Sequence, residues 1–137
     1  MVRTLEVCRI CFPHDRLRFR VLDRPLQRLR GLLGTDGDAD PVALVDCHAI
    51  HTFGMRYRID VAFVERDGFV LDAWNSVPPG RLLQCKGAWV TLERPHRRGR
   101  WLAHGERVSM RQVEGECGSS GEAAACPEET DVEYQRR

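Results

Sequence analysis

Residues 16–21, Arg16-Leu17-Arg18-Phe19-Arg20-Val21, alternate polar and apolar. A period of two belongs to a half-buried strand, with Leu17, Phe19 and Val21 inward and three arginines outward. The period then changes. Leu26, Leu29, Leu32 and Leu33 fall on one helical face, Asp23 is placed as cap, Pro25 sits in the first turn and Gly34 is placed to end the helix. The spacing predicts a short amphipathic helix over about 24–33. A loop follows at 36–41, then a buried strand at 42–46. Ile59-Asp60-Val61-Ala62-Phe63-Val64 and Phe69-Val70-Leu71 flank Asp67-Gly68, the strongest short-range hairpin signal, because glycine takes positive φ without strain. Strands are expected at about 59–65 and 69–76, the second stopped by Pro78-Pro79-Gly80, and again at 88–93 and 106–113. The connection at 95–105 reads as basic and irregular, and Trp74, Trp89 and Trp101 are expected to pack at the edges.

Six or so short strands with one early helix predict a mainly β protein, a compact antiparallel β-sandwich or small barrel. The chain of 137 residues has room for one domain. Residues 115–137 hold Gly118-Ser119-Ser120-Gly121, an alanine run and six acidic groups against Arg136 and Arg137. Such a segment buries too little to offset its ordering entropy, so it is expected to be a disordered acidic tail beyond a folded domain of 1–114.

Charge narrows the function classes only a little. The total is +1, yet residues 1–34 carry a net +5, the tail a net −4, and the middle is balanced. This argues against a generic polycation. No run of about 18 apolar residues exists and the first residues lack the apolar core of a signal peptide, so the expectation is a cytoplasmic protein with no membrane span. The thiols are then expected to be free. Cys8-Arg9-Ile10-Cys11 has the spacing of a zinc half-site, but no matching second pair follows. No nucleophile–base set, phosphate loop or His-Glu-x-x-His motif is present, so no catalytic residue and no cofactor is assigned and enzymatic activity is left open.

The stretch from Cys47 to Asp60 is too polar for a core strand and too bulky for a plain loop. Loops held between rigid strands gather binding groups. His51 reads as a ligand or general base, or as a residue that fixes the turn through one hydrogen bond. Met55 reads as a core gap-filler first. Arg56 and Asp60 read as a charge pair bracing the hairpin, or as an anion clamp with Arg56 poised by Asp60.

These residues resemble a known family. Leu29-Arg30-Gly31-Leu32-Leu33-Gly34, the run Ile50-His51-Thr52-Phe53-Gly54-Met55-Arg56, and Ile59 to Val64 with Asp67-Gly68 look like the prokaryotic family called domain of unknown function 192. Val77-Pro78-Pro79-Gly80-Arg81, Val90-Thr91-Leu92-Glu93 and His104-Gly105-Glu106 continue the match, from about Leu17 to Met110. The resemblance implies a compact, mainly β fold with an early helix and no established activity. His51, Thr52, Met55, Arg56 and Asp60 fall on the family's most characteristic motif. Arg58 departs from it, standing where a proline is common, which implies a looser turn or a more basic rim.

The leading expectation is therefore a non-catalytic binding or assembly module. His51, Thr52, Met55, Arg56 and Asp60 would form the site for a small anionic or polar ligand or a protein partner. One alternative is a metal-dependent hydrolase or lyase using His48, His51 and Asp60. A further one is nucleic-acid binding through Arg16, Arg18 and Arg20 with Arg97, Arg98 and Arg100, against the blander reading of solvated arginines on an outer face.

Overall fold

The structure is a computed structural model, described here for residues 3–114. Alternation makes most of its elements. Strand β1 (Arg3–Arg9) pairs antiparallel with β2 (Phe12–Leu22), whose Phe19 and Val21 point into the core as their spacing requires. Helix α1 (Pro25–Arg30) follows, then β3 (Val42–Val45), β4 (Ala49–His51), β5 (Ile59–Val64), β6 (Val70–Val77), β7 (Leu82–Gln84), β8 (Val90–Pro95) and β9 (Val108–Glu114). Seven strands form one sheet in the order β6-β5-β8-β3-β2-β1-β9, and β4 with β7 forms a separate ribbon.

The fold is mainly β with one short helix. It has nine strands among the described residues, where about six are predicted, and β2 and β3 run parallel rather than antiparallel. The helical connection between them carries the chain back to start β3 in the direction of β2. The main sheet is open in strand order, but the residues just before its two edge strands, Phe69 and Arg107, form an isolated bridge. Hydrogen bonds from Val70 N to Glu106 O and from Val108 N to Gly68 O, 2.9 Å each, flank that bridge. Gly68 is obligatory here. Its φ is +92°, and a Cβ would lie 2.0 Å from the Val108 carbonyl oxygen.

Three further expectations change. The helix ends at Gly31 (φ +49°), not Gly34, and Asp23 pairs with Arg3 instead of capping. Cys8 lies in β1 and Cys11 in the two-residue turn before β2, and no group of three or more His, Cys, Asp or Glu suited to a metal exists among the described residues. Trp101 is interior, not peripheral: it is buried and its Nε1 donates to Val61 O at 3.0 Å. The tail expectation lies outside the described residues.

The central strands are buried on both faces. One face carries Ala43, Ala62, Val64 and Leu92, packed with Leu5, Val7, Phe19 and Trp101. The other carries Val42, Leu44, Ile59, Val61 and Phe63, covered by Leu32, Ile50 and Met55. The period of two therefore sets which side of the molecule each polar residue of β5 and β8 serves.

Candidate functional site

The His-Thr-Phe-Gly-Met-Arg run covers the second of these faces. His51 closes β4 opposite Leu82 of β7. Thr52, which is fully buried, then fixes the chain. Its hydroxyl donates to Pro78 O and accepts from Arg81 N, both at 2.8 Å, while its backbone N–H donates to Arg81 O at 2.8 Å. Gly80 N and Met55 N both donate to the Thr52 carbonyl, at 3.0 and 3.2 Å. The turn continues through Gly54 (φ +80°), where a Cβ would press within 3.2 Å of the Leu33 side chain. Met55 is thereby driven into the core beside Leu32 and Ile50.

A cavity of about 60 Å³ remains between this turn and the segment after α1. Its lining includes Arg28, Arg30, Gly31, His51, Met55 and Glu93. Glu93 stands on β8 between Val42 and Val61, with its side chain on the second core face. It is 4 % exposed. Burial pushes its carboxyl up to about 7, only partly opposed by a hydrogen bond from the Leu32 backbone N–H. Gly31 takes a positive φ of +49°, and a Cβ there would sit 3.0 Å from Glu93 Oε2, so a side chain would be strained and would crowd the acid. The two arginines are tied to backbone: Arg28 Nη1 donates to Val45 O at 3.1 Å and Arg30 Nε to Leu33 O at 3.2 Å. Neither forms an ion pair with Glu93. The site is a small cleft with cations and an imidazole at its lining and a buried acid that changes protonation state near neutral pH. Such a group can donate or accept a hydrogen bond there.

The expected site residues do not all meet. His51 is exposed and stacks on Phe53, with ring centroids 5.6 Å apart. It reaches the cavity, as does Met55. Thr52 is a strut, its hydroxyl satisfied on both sides. Arg56 is exposed and makes no side-chain bond among the described residues. Asp60 faces the other way, with Ala62 and Val64. It accepts from Arg94 Nε at 2.8 Å and from Ser76 N at 2.9 Å, and its Oδ1 lies 2.8 Å from His96 Nδ1. The expected Arg56–Asp60 brace is thus replaced by Arg94–Asp60, because strand alternation puts Asp60 on the face opposite the motif turn. For the same reason His48, His51 and Asp60 do not gather at one point. Arg58 extends to β6, its Nη1 donating to Ser76 O at 3.0 Å. Of the outer arginines, Arg16 and Arg18 lie 3.9 and 3.5 Å from Glu6, which Arg111 also reaches at 3.2 Å.

Glu93 went unassigned in the sequence. The sequence shows only an acid after Trp89-Val90-Thr91-Leu92 at the end of the strand predicted at 88–93, which does not tell what it faces.

No protein-family model and no curated protein matches the chain. Its fold is similar to two solved crystal structures. One is a protein from Sinorhizobium meliloti 1021, provisionally assigned as a transcription regulator, with a TM-score of 0.66 and 15% identity over 80% of this chain and 94% of that one. The other is a protein of unknown function from Novosphingobium aromaticivorans DSM 12444, with a TM-score of 0.59 and 16% identity over 79% and 84% of the two chains. At such identities the likeness establishes the fold alone.

Proposed function

We propose that the protein is a non-catalytic binding or assembly module whose cleft between Gly31–Leu33 and Ile50–Met55 takes a small anionic or polar group. The observation that carries this reading is Glu93, a buried carboxyl with one backbone donor, facing a cavity rimmed by His51, Arg28 and Arg30. A fold gains no stability from a buried acid left without a cation, so its presence beside an open space points to use. A carboxylate or phosphate oxygen entering the cleft meets guanidinium donors and a carboxylic acid that can donate its proton.

The reading includes only part of the expected residue set: His51 and Met55 belong to the cleft, Thr52 shapes its turn, Arg56 lies outside its lining and Asp60 supports the scaffold from behind. Under the same reading the chain is a cytoplasmic member of the domain of unknown function 192 family, and its sheet is a small barrel left open along most of one seam. No observation favours the metal-dependent alternative.

The test is a thermal-shift screen of small carboxylates, phosphates and amides, followed by calorimetry of each hit on the parent, His51→Ala and Glu93→Gln proteins. The expected outcome is a hit whose affinity falls about tenfold or more in one of the variants, the loss of one charge-assisted hydrogen bond. Hits that bind all three proteins equally would remove the cleft from the argument.

A further inference from the structure

A second, larger concavity lies on the other side of Asp60. The β1–β2 turn and the segment from Arg94 to Arg100 border a groove of about 600 Å³, within the ~300–1,000 Å³ typical of small-ligand sites. Its lining includes Phe12, His14, Asp15, Leu17, Arg94 and Arg100. The wall is rigidly built. Asp60 holds Arg94, whose Nη2 donates to Arg100 O at 3.2 Å and whose guanidinium lies 4.5 Å over the Trp101 ring. Trp101 is itself anchored to Val61. On this frame the Arg100 guanidinium rests 4.4 Å from the centroid of Phe12, a half-exposed ring.

The charge around the groove is not balanced. Arg9, also over Phe12 at 4.6 Å, is consumed by Glu106 and Asp15, and Arg94 by Asp60. Arg100 has no acidic partner among the described residues. Arg97 and Arg98, two and three positions earlier in the same connection, are exposed and make no side-chain bond among the described residues. A flat cation held against an aromatic ring, in a connection that also carries the exposed Arg97 and Arg98, suits a ligand with a ring to stack and a phosphate to clasp.

We propose that this groove is a second binding site, distinct from the motif cleft, for a nucleotide unit, either free or within a single strand. The ring stacks on the Arg100–Phe12 pair and the phosphate is met by Arg97 and Arg98.

The experiment uses the full chain and isothermal calorimetry at about 50 mM salt, where phosphate contacts are least screened. Adenosine 5′-monophosphate is compared with ribose 5-phosphate, which keeps the phosphate and lacks the ring. Saturable binding of the nucleotide is expected, with ribose 5-phosphate about tenfold weaker, in line with the loss of one stacked base. Arg100→Lys keeps the charge and loses the plane, so it should weaken the nucleotide about tenfold and leave ribose 5-phosphate unchanged. The Arg97→Ala/Arg98→Ala double variant should weaken both. Glu93→Gln, which alters only the motif cleft, should change neither, so this site stands or falls independently of the first. An octamer of adenylate separates the two sources: tighter binding than the mononucleotide indicates a single strand, equal binding a free nucleotide. The proposal is overturned if neither nucleotide nor octamer binds saturably, if ribose 5-phosphate binds as well as the nucleotide, or if Arg100→Lys binds it like the parent.

Discussion

Asp60 and Glu93 are buried carboxylates on adjacent strands, one register step apart, and they have opposite surroundings. Asp60 faces the inner core and is held by a guanidinium, an imidazole and a backbone N–H. Glu93 faces the motif turn and has the Leu32 N–H as its one donor among the described residues, with burial raising it to about 7. Burial by itself does not make a carboxylate functional or structural. A buried charge is tolerated when it is paired and fully hydrogen-bonded, and otherwise it takes up a proton. Asp60 is therefore a fixed tie between β5, β6 and β8, and Glu93 a group whose state can change when something enters the cavity beside it.

Removing the two acids should thus act in opposite directions. Asp60→Ala leaves Arg94 buried without a counter-charge and should cost about 3–5 kcal/mol, read as a shift in the urea midpoint with little change in slope. Glu93→Gln should stabilise the protein at alkaline pH. Because the folded carboxyl titrates near 7 and an ordinary one near 4.5, the native state holds a proton that the unfolded state has released between those values. Stability therefore declines as pH rises from about 4.5 to about 7 and is flat above. At ~1.4 kcal/mol per pH unit the decline is on the order of 3 kcal/mol. Glu93→Gln should abolish this slope. A parent protein whose unfolding free energy does not fall across that window, or a glutamine variant less stable than the parent at pH 8, would sink the distinction drawn between the two acids.

The contrast was half legible in the sequence. Ile59, Val61 and Phe63 share a face, and parity alone then sends Asp60 to the other one, away from the turn that carries His51 and Met55. The hairpin at Asp67-Gly68 and the inward set Phe19 and Val21 were readable for the same reason: local periodicity and a glycine at positive φ need no distant partner. Strand β1 carries the same signal in brief, since Thr4-Leu5-Glu6-Val7 alternates polar and apolar with Leu5 and Val7 in the core, but four residues are too short a run to fix a strand without the partners β2 and β9 that flank it. The ribbon β4–β7 has three residues on each side and owes its existence to tertiary ties, chiefly those of Thr52. Glu93 was hidden for a similar reason: nothing within β8 reveals that Gly31 and Leu32, some sixty positions earlier, come to rest against it.

Thr52 tests the step between those extremes. Its hydroxyl is neutral, buried and used in both senses, as donor to Pro78 O and acceptor from Arg81 N. Thr52→Val keeps the shape and leaves both partners short, which should cost about 1–3 kcal/mol. Thr52→Ser keeps the bonds and should cost less. The two variants separate the hydrogen bonds from the packing, and equal losses would mean that the methyl rather than the hydroxyl holds the turn to residues 78–81.

The smallest effect is expected at a third acid. Glu6 is buried to 5 % exposure, much like Glu93, but Arg16, Arg18 and Arg111 surround it from the neighbouring strands. Their guanidiniums reach water, most fully for Arg18 and Arg111, so each pair is screened and shared. Arg111→Ala should cost only about 0–1 kcal/mol, and less in high salt, because Arg16 and Arg18 remain to answer the charge. Urea unfolding of this variant at about 50 and 500 mM salt checks both points. A loss as large as that of Asp60→Ala would show that a single pairing geometry, and not the sum of nearby positive charge, decides whether an acid in this sheet is tolerated; the reserve ascribed to Glu93 would then have to come from the shape of its cavity instead of its lack of cations.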